Sequence, residues 1–290
     1  MTNRKIAILG GDPRYLSCVE KLKQIADLYL VGFDTIYPSE NVSLDAVPFE
    51  TLDACILPIT GVSDDNEIMA SFSHDRLYLP QDSLKRMKQG AIVFTGIASK
   101  HLHELVNETD VQLIEIFARD DVAIYNAVPT AEGTLMLAIK HLKKTLHQSN
   151  VVLLGFGRVG EIVADRFFKL GAHVFVGVRK QRDIAKAKSL GYDGFHLKDL
   201  DAYIKSTDLF INTIPAMMFT PRVLDQLTRD QLIIDLASMP GGVDFDYARK
   251  RELRVIHALG IPAKVAPKTA GNIIATEIIE ELSQNKLKDG

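Results

Sequence analysis

Short apolar runs alternate along the chain with segments in which apolar residues recur at helical spacing. Runs rich in Val, Ile and Phe predict buried strands, and the helical segments between them predict a parallel architecture. The predicted strands cover residues 5–9, 28–33, 54–57, 91–94, 112–114, 151–154, 173–178, 195–197, 208–213, 232–236 and 254–257. The sequence therefore predicts the α/β fold class, with helices between the strands of two doubly wound parallel-sheet domains.

Two longer segments carry a helical pattern. Residues 129–148 begin with a proline and keep apolar residues at helical spacing up to a basic last turn, so one long helix is expected to connect the domains. The C-terminal segment 267–286 has a second apolar stripe, which we expect to pack back on the first domain. The predicted domains are residues 1–128, which hold the substrate and are completed by the C-terminal helix, and residues 129–266, a Rossmann dinucleotide-binding domain.

The segment NVVLLGFGRVG passes from an apolar strand into a glycine-rich turn and then into a helical pattern. This is the order that binding of a dinucleotide pyrophosphate requires. Gly155 permits the tight turn, Gly157 lets the backbone approach phosphate oxygens, and Gly160 allows close packing of the helix, whose N-terminus offers N–H donors. The predicted cofactor-binding residues of this turn are Gly155, Phe156, Gly157, Arg158, Val159 and Gly160.

Basic residues follow the next predicted strand, where a site for NAD would place an acidic ligand of the ribose. The sequence has Arg179, Lys180 and Arg182 at this point. We expect these side chains to bind a 2′-phosphate, which favours NADP over NAD as the cofactor. The alternative is that they are ordinary solvated charges.

Two later turns have the composition of cofactor-lining segments, because small hydroxyls and backbone amides there can hold ribose and carboxamide without blocking the nicotinamide ring. Each turn could instead be a tight turn shaped only by Pro and Gly. The predicted cofactor-binding residues of these turns are Asn212, Thr213, Ile214 and Pro215 in the first and Leu236, Ala237 and Ser238 in the second.

Candidate substrate ligands lie in the first half of the chain. The turn GGDPR follows the first strand and is interpreted as an anion-binding turn with Arg14 as its cation. Together with Arg119 and the turn residues Thr60, Gly61 and Ser63, this arginine is expected to bind a small anionic substrate through charge-assisted hydrogen bonds. Surface salt bridging is the alternative for each arginine. The segment PTAEG supplies the candidate catalytic residues Thr130 and Glu132.

Bulk properties exclude several classes of protein. The 290 residues carry a net charge of -3 in an interspersed pattern, which gives no nucleic-acid footprint. No membrane span or signal peptide is expected, so we predict a cytoplasmic protein. The two cysteines, Cys18 and Cys55, are expected to be buried free thiols, and no metal site is predicted.

The motifs GGDPR, PITG, AVPTAEG, LGFGRVG, NTIP, DLASMPGG and GIPAKVAPKTAG together resemble the A subunit of bacterial dipicolinate synthase over nearly the whole chain. That family makes the pyridine dicarboxylate of the endospore and is similar in architecture to D-2-hydroxyacid and alanine dehydrogenases. The resemblance implies an NADP-linked oxidation of a dihydropyridine or 4-hydroxytetrahydropyridine dicarboxylate to dipicolinate. It also implies a partner, the flavoprotein-like B subunit. A homo-oligomer is expected as well.

This sequence departs from the dehydrogenase pattern at one point, because no His with a matching carboxylate forms an acid/base pair. Glu132 or a hydroxyl of the turn at residues 60–63 would then assist the loss of water from a 4-hydroxy substrate. Two other functions stay open at this point. One is an NAD(P)-dependent dehydrogenase of a simple 2-hydroxy or 2-amino acid, and the other is a non-catalytic NADP-binding regulatory subunit.

Overall fold

The fold is taken from a computed structural model, which describes residues 4–286. The chain divides into two compact units, one formed by Met1–Ala123 with Ala266–Gly290 and the other by Ile124–Val265. Each unit contains one large parallel sheet. The two-domain α/β prediction is confirmed.

The first unit contains seven strands within the described residues. The helices that pack with them are α1 (Arg14–Leu22), α2 (Lys100–Asn107) and α9 (Pro267–Lys286). The strands are β1 (Arg4–Leu9), β2 (Ala26–Val31), β3 (Ala54–Ile56), β4 (Glu67–Ile68), β5 (Leu77–Tyr78), β6 (Ile92–Thr95) and β7 (Gln112–Glu115).

Five of these strands form a parallel sheet in the order β2-β1-β3-β6-β7, which is a doubly wound order. Its two faces are covered separately. Ile6 and Ile8 point into a core shared with α1 and α9, whereas Ala7 and Leu9 point into a second core shared with α2. Burial on both faces explains why β1 is a continuous apolar run.

The C-terminal helix α9 packs on α1, as predicted from its apolar stripe. Gly271 lies at the crossing, where an added Cβ would be only 2.0 Å from the backbone oxygen of Arg14. The thiol of Cys18 donates to the Gly271 carbonyl oxygen at 3.4 Å. A glycine at this position therefore lets the two helix backbones approach closely.

The connections in the first unit differ from the prediction that helices fall between all the strands. Only the 3-10 turns Leu44–Ala46 and Phe49–Thr51 separate β2 from β3. The antiparallel pair β4–β5 occupies the segment between β3 and β6. The prediction of helices there was wrong because Pro and Gly interrupt these segments too often for a helix to form.

The long connecting helix also differs from its prediction. Helix α3 covers Asp120–His141, so Pro129 lies inside the helix instead of starting it. Asp120 and Asp121 occupy the first turn, where negative charge stabilises the helix dipole. Within the described residues α3 is the one helix long and apolar enough to cross a membrane, a criterion that core helices of soluble proteins also meet.

The second unit forms a six-stranded parallel sheet in the order β10-β9-β8-β11-β12-β13. This is the strand order of a Rossmann fold, with its switch point between β8 and β11. The strands are β8 (Asn150–Leu154), β9 (His173–Val178), β10 (Asp193–His196), β11 (Leu209–Asn212), β12 (Leu232–Asp235) and β13 (Arg254–His257). The helices are α4 (Arg158–Lys169), α5 (Gln181–Ser189), α6 (Pro221–Leu224), α7 (Phe245–Lys250) and α8 (Ile261–Val265).

Candidate functional site

The glycine-rich turn between β8 and α4 lies at the switch point of the second sheet. Gly155 has a φ of +94°, and an added Cβ would be 2.3 Å from the Thr213 hydroxyl oxygen. At Gly160 an added Cβ would be 2.4 Å from the Gly155 carbonyl oxygen. Both positions therefore require glycine for the turn itself, before any ligand is considered.

Gly157 is different, because an added Cβ there would meet no atom within 4 Å. This open space adjoins the N-terminus of α4, whose first N–H groups have no partner inside the helix. A pyrophosphate fits such a cradle, since backbone N–H groups and the helix dipole both favour an anion. The residues present therefore fit a dinucleotide.

Two side chains of this turn face away from the cradle. Phe156 is buried in the core of the second unit, where its ring contacts Tyr192, and Val159 packs against the same core. Their predicted contribution to cofactor binding is thus limited to the backbone. Arg158 is exposed on the first turn of α4.

The basic residues after β9 are all exposed. Within residues 4–286, the side chains of Arg179, Lys180 and Arg182 form no ion pair. Three exposed cations that form no ion pair in this part of the chain thus follow the end of β9, the strand next to β8.

The turns after β11 and β12 are joined by a buried side-chain network. Asn212 and Asp235 are both fully buried, and the Asn212 Nδ2 donates to the Asp235 Oδ1 at 2.8 Å. Asn212 also bonds the backbone N–H and the carbonyl oxygen of Ile214. Asp235 accepts further hydrogen bonds from the backbone N–H groups of Ala237 and Gly242.

The paired glycines in DLASMPGG follow from this network. Gly241 has a φ of +88°, and an added Cβ would lie 2.8 Å from the Asp235 Oδ2. At Gly242 an added Cβ would be 2.1 Å from the Asn212 Nδ2. The motifs NTIP and DLASMPGG therefore encode one connected structure.

The predicted cofactor residues of these two turns differ in how they are placed. Asn212 and Ala237 are buried, so a contribution of either residue to cofactor binding would come through the turn geometry and not through an exposed side chain. The Thr213 hydroxyl donates to the Leu154 carbonyl oxygen at 3.0 Å and ties its turn to the end of β8. Pro215 and Ser238 are exposed, whereas Ile214 and Leu236 are half-buried. Sequence reasoning missed Asp235, although an acidic residue at a strand end before a Gly-Gly pair is a usable signal.

In the first unit, the turn after β3 lines a cavity of about 360 Å³. The cavity brings together the three predicted turn residues with three that were not predicted. Its lining residues are Thr60, Gly61, Val62, Ser63, Glu67 and Met69. The hydroxyl of Ser63 donates to Asp65 at 2.5 Å. The lining thus contains hydroxyl groups and one carboxylate, and neither predicted arginine is part of it.

Arg14 is not the free cation that the sequence prediction assumed. It is buried, and Asp12 accepts hydrogen bonds from its Nε at 2.9 Å and its Nη2 at 2.5 Å. The N–H of Gly11 in the same turn donates to the Met69 carbonyl oxygen. Because Asp12 and the Met69 carbonyl oxygen already accept these donors, substrate binding by Arg14 would require this pairing to change, and it stays a prediction.

Arg119 is likewise surrounded by carboxylates. Its Nη2 lies 2.6 Å from Asp121, and its Nη1 lies 2.6 Å from Glu277 and 3.4 Å from Glu281. Glu277 is only 3% exposed, and burial raises its pKa to about 7 even though the guanidinium opposes that shift. The pKa of Asp121 is lowered to about 2 by its hydrogen bond to Arg119. The cluster joins α9 to the start of α3.

The two candidate catalytic residues lie in the middle of α3. The Thr130 hydroxyl donates to the Asn126 carbonyl oxygen at 2.9 Å, which occupies it within the helix. Glu132 is exposed. Residues two apart in a helix point about 200° away from each other, so these two side chains do not converge on one atom. Of the two, Glu132 is the one whose side chain is exposed.

Two cysteine thiols lie in the interior of the first unit. Cys18 and Cys55 are buried free thiols, as predicted, and burial raises the pKa of each to about 12. Among the described residues no cluster of His, Cys, Asp and Glu could hold a metal ion.

The second unit combines a Rossmann strand order, a phosphate cradle at the switch point and two ordered turns after the neighbouring strands. These features define an NAD-binding domain of the dehydrogenase type. The match of residues 124–237 to the family model for the D-isomer specific 2-hydroxyacid dehydrogenase NAD binding domain agrees with this class. The protein is an oxidoreductase that uses a nicotinamide cofactor.

The particular family follows from the rest of the chain. Residues 5–117 match the family model for the N-terminal domain of the dipicolinate synthase A subunit. The chain is 40% identical to the A subunit of dipicolinate synthase of Bacillus subtilis (strain 168), over 100% of this chain and 99% of that protein. The crystal structure of the A subunit from Bacillus halodurans has a TM-score of 0.92 at 38% identity, covering 97% of this chain and 98% of the other. The chain belongs to the family of dipicolinate synthase A subunits.

An L-alanine dehydrogenase structure shares the fold, with a TM-score of 0.58 at 14% identity and coverage of 97% of this chain and 91% of the other. At that identity the likeness concerns only the fold. It agrees with the architectural similarity to dehydrogenases expected from the sequence motifs.

Proposed function

We propose that this chain catalyses the NADP-dependent oxidation of a dihydropyridine or 4-hydroxytetrahydropyridine dicarboxylate to dipicolinate. The observation that carries the proposal is the full-length similarity to the A subunit of a dipicolinate synthase, combined with an ordered phosphate cradle in the second unit. The biological role would be dipicolinate biosynthesis in the cytoplasm during sporulation.

The cofactor supplies the redox step when bound, by accepting a hydride from a ring carbon of the substrate. The protein must orient that C–H bond and exclude water, and it needs no strong base for a dihydropyridine because the product gains aromaticity. In the first unit, the Thr60 and Ser63 hydroxyls and the Gly61 backbone line the cavity proposed to hold the substrate. Arg14 and Arg119 do not line this cavity, and we propose that they bind substrate carboxylates only if these carboxylates replace part of their present pairing.

The 4-hydroxy form would also have to lose water. Glu132 is the proposed acid/base residue for this step, because the Thr130 hydroxyl is bonded to the helix backbone. A Glu132→Gln variant should lose turnover of the 4-hydroxy substrate and keep turnover of the dihydro substrate. Equal loss on both substrates would remove Glu132 from this role.

A coupled assay that detects dipicolinate by its ultraviolet absorption tests the reaction. The assay should be run with the purified chain, with and without the flavoprotein-like B subunit, in the presence of NADP. Dipicolinate should form at least in the mixture that contains the chain, the B subunit and NADP. Nucleotide binding without any dipicolinate would indicate a non-catalytic regulatory subunit, whereas turnover of a 2-hydroxy or 2-amino acid by the chain alone would indicate a simple dehydrogenase.

NADP preference should depend on the basic residues after β9. Because Arg179 is exposed and forms no ion pair within residues 4–286, an Arg179→Ala variant should lose about tenfold in NADP affinity and little in NAD affinity. Fluorescence titration with both nucleotides measures the two dissociation constants. Lys188→Ala, an exposed cation on the last turn of α5, is the matched control. If Arg179→Ala keeps the wild-type preference, the NADP assignment is wrong.

The proposal includes a homo-oligomer. Tyr125, Met136 and Ile139 on α3 are 64%, 48% and 65% exposed, and apolar side chains in a row on a helix favour contact with another chain. Light scattering on the same purified protein gives the number of copies in the assembly, and a monomeric mass at assay concentration would exclude this part of the proposal.

A further inference from the structure

The buried carboxylate of Asp235 forms no ion pair among the described residues. It is 0% exposed at the end of β12, and its hydrogen-bond partners are an amide and two backbone N–H groups. Burying a carboxylate is costly unless its hydrogen bonds compensate. Packing alone does not explain a buried carboxylate at the carboxyl end of a parallel strand, which is where such sheets bind their ligands.

The network around Asp235 joins two turns that are distant in sequence. Its Oδ1 holds Asn212, which in turn fixes the backbone of Ile214 through two hydrogen bonds. Its Oδ2 accepts the N–H of Gly242 at 2.7 Å and so closes the turn that begins at Leu236. One carboxylate therefore sets the conformation of both turns at the ends of β11 and β12.

The position of these turns assigns them to one half of the cofactor. In a Rossmann sheet the pyrophosphate binds at the switch point, here between β8 and β11. The strand β9 lies on the adenosine side, because it carries the ribose-binding position. The ends of β11 and β12 lie on the opposite side of the switch point, which is the side of the nicotinamide.

We infer that Asp235 is a positioning residue for the nicotinamide half of the cofactor. It acts through Asn212 and Gly242 and touches no ligand atom itself. The inference rests on the proposed binding of a nicotinamide dinucleotide, and it holds whether the preferred cofactor is NADP or NAD. We therefore expect loss of Asp235 to weaken binding of the nicotinamide end of the cofactor and to leave binding of the adenosine end unaffected.

Two probes separate the two ends. NADP and 2′-phospho-ADP-ribose share the adenosine half, the pyrophosphate and the second ribose, and they differ only in the nicotinamide ring. The ratio of their affinities for the full-length chain, NADP over 2′-phospho-ADP-ribose, therefore reports the contacts of the nicotinamide ring. Asp235→Asn keeps the shape of the side chain but replaces one acceptor oxygen with a donor, so it should reduce this ratio by about tenfold. Affinity for 2′-phospho-ADP-ribose should stay within about twofold of wild type.

A control carboxylate lies at the other end of the same sheet. Asp208 accepts the N–H of Asn150 at 2.8 Å and pairs with Lys144 just before β11 begins. Asp208→Asn should lower the thermal midpoint without changing the ratio of the two affinities. If Asp235→Asn behaves in the same way, Asp235 is only structural and the inference is wrong.

A second variant keeps the test decisive if Asp235→Asn does not fold. Gly242→Ala retains the carboxylate but places a Cβ 2.1 Å from the Asn212 Nδ2, which displaces the amide from the network. It should reduce the ratio in the same direction, and an unchanged ratio in this folded variant would overturn the inference. A wild-type chain that binds neither these two probes nor NAD and ADP-ribose would refute cofactor binding itself, which is a different failure.

Discussion

A Gly157→Ala variant is expected to bind the dinucleotide on the order of 100-fold more weakly than the wild type, with an unchanged thermal midpoint. The added Cβ would meet no protein atom within 4 Å, so the fold has room for it. It would occupy the space in which the backbone approaches the pyrophosphate. Titration with NADP and NAD, together with a thermal melt of the unliganded chain, measures both quantities.

Gly160→Ala is the contrasting variant for this experiment. Its Cβ would be 2.4 Å from the Gly155 carbonyl oxygen, so it should lower the thermal midpoint as well as the affinity. If Gly157→Ala binds both nucleotides as tightly as the wild type does, the phosphate does not lie at this turn.

A Glu277→Gln variant should be more stable than the wild type above pH 7 and nearly equal to it near pH 4.5. Burial raises the pKa of the folded Glu277 carboxyl to about 7 from the ordinary value of 4.5. Because the pKa of the folded state is raised, the contribution of Glu277 to the free energy of unfolding is fully present below pH 4.5. This contribution is lost as the pH rises through about 7. Glutamine does not ionise, so the variant should not show this loss of unfolding free energy, which is on the order of 3 kcal/mol.

Thermal midpoints between about pH 5 and pH 8 measure this effect. Glu281→Gln is the matched control, because Glu281 lies on the same helix and contacts the same Arg119 nitrogen at 3.4 Å but is more exposed. Its midpoint should follow the wild-type dependence on pH. A Glu277→Gln variant that is less stable than the wild type at the alkaline end of this range would show that the ion pair with Arg119 outweighs the cost of burial.

Arg14 and Arg119 are both paired with carboxylates, which the sequence prediction gave only as the alternative to substrate binding. A free cation and a paired cation have the same one-letter code, and their difference depends on carboxylates that folding brings near. Asp12 is close to Arg14 in the chain, so that pairing could have been suspected from GGDPR. Glu277 reaches Arg119 only because α9 returns to the first unit.

The segment PTAEG shows a second limit, which concerns local context. A proline before a helical pattern ordinarily marks the first turn, and the expectation of a helix starting at Pro129 followed from that rule. The structure begins the helix at Asp120 and places Thr130 and Glu132 on different sides of it. Whether a proline starts a helix or lies inside it depends on the packing around it, which local sequence does not specify.

By itself, the sequence determined the two parallel sheets, their strands and the phosphate turn. Apolar runs and glycine spacing reflect local backbone geometry and burial, which each short segment carries in its own residues. Only the tertiary structure decided which polar groups are available and which are already paired. It joined Asn212 to Asp235 and formed the cavity that Thr60 lines. The Asn212–Asp235 hydrogen bond joins residues 23 positions apart in the chain, which meet only when β11 and β12 pair.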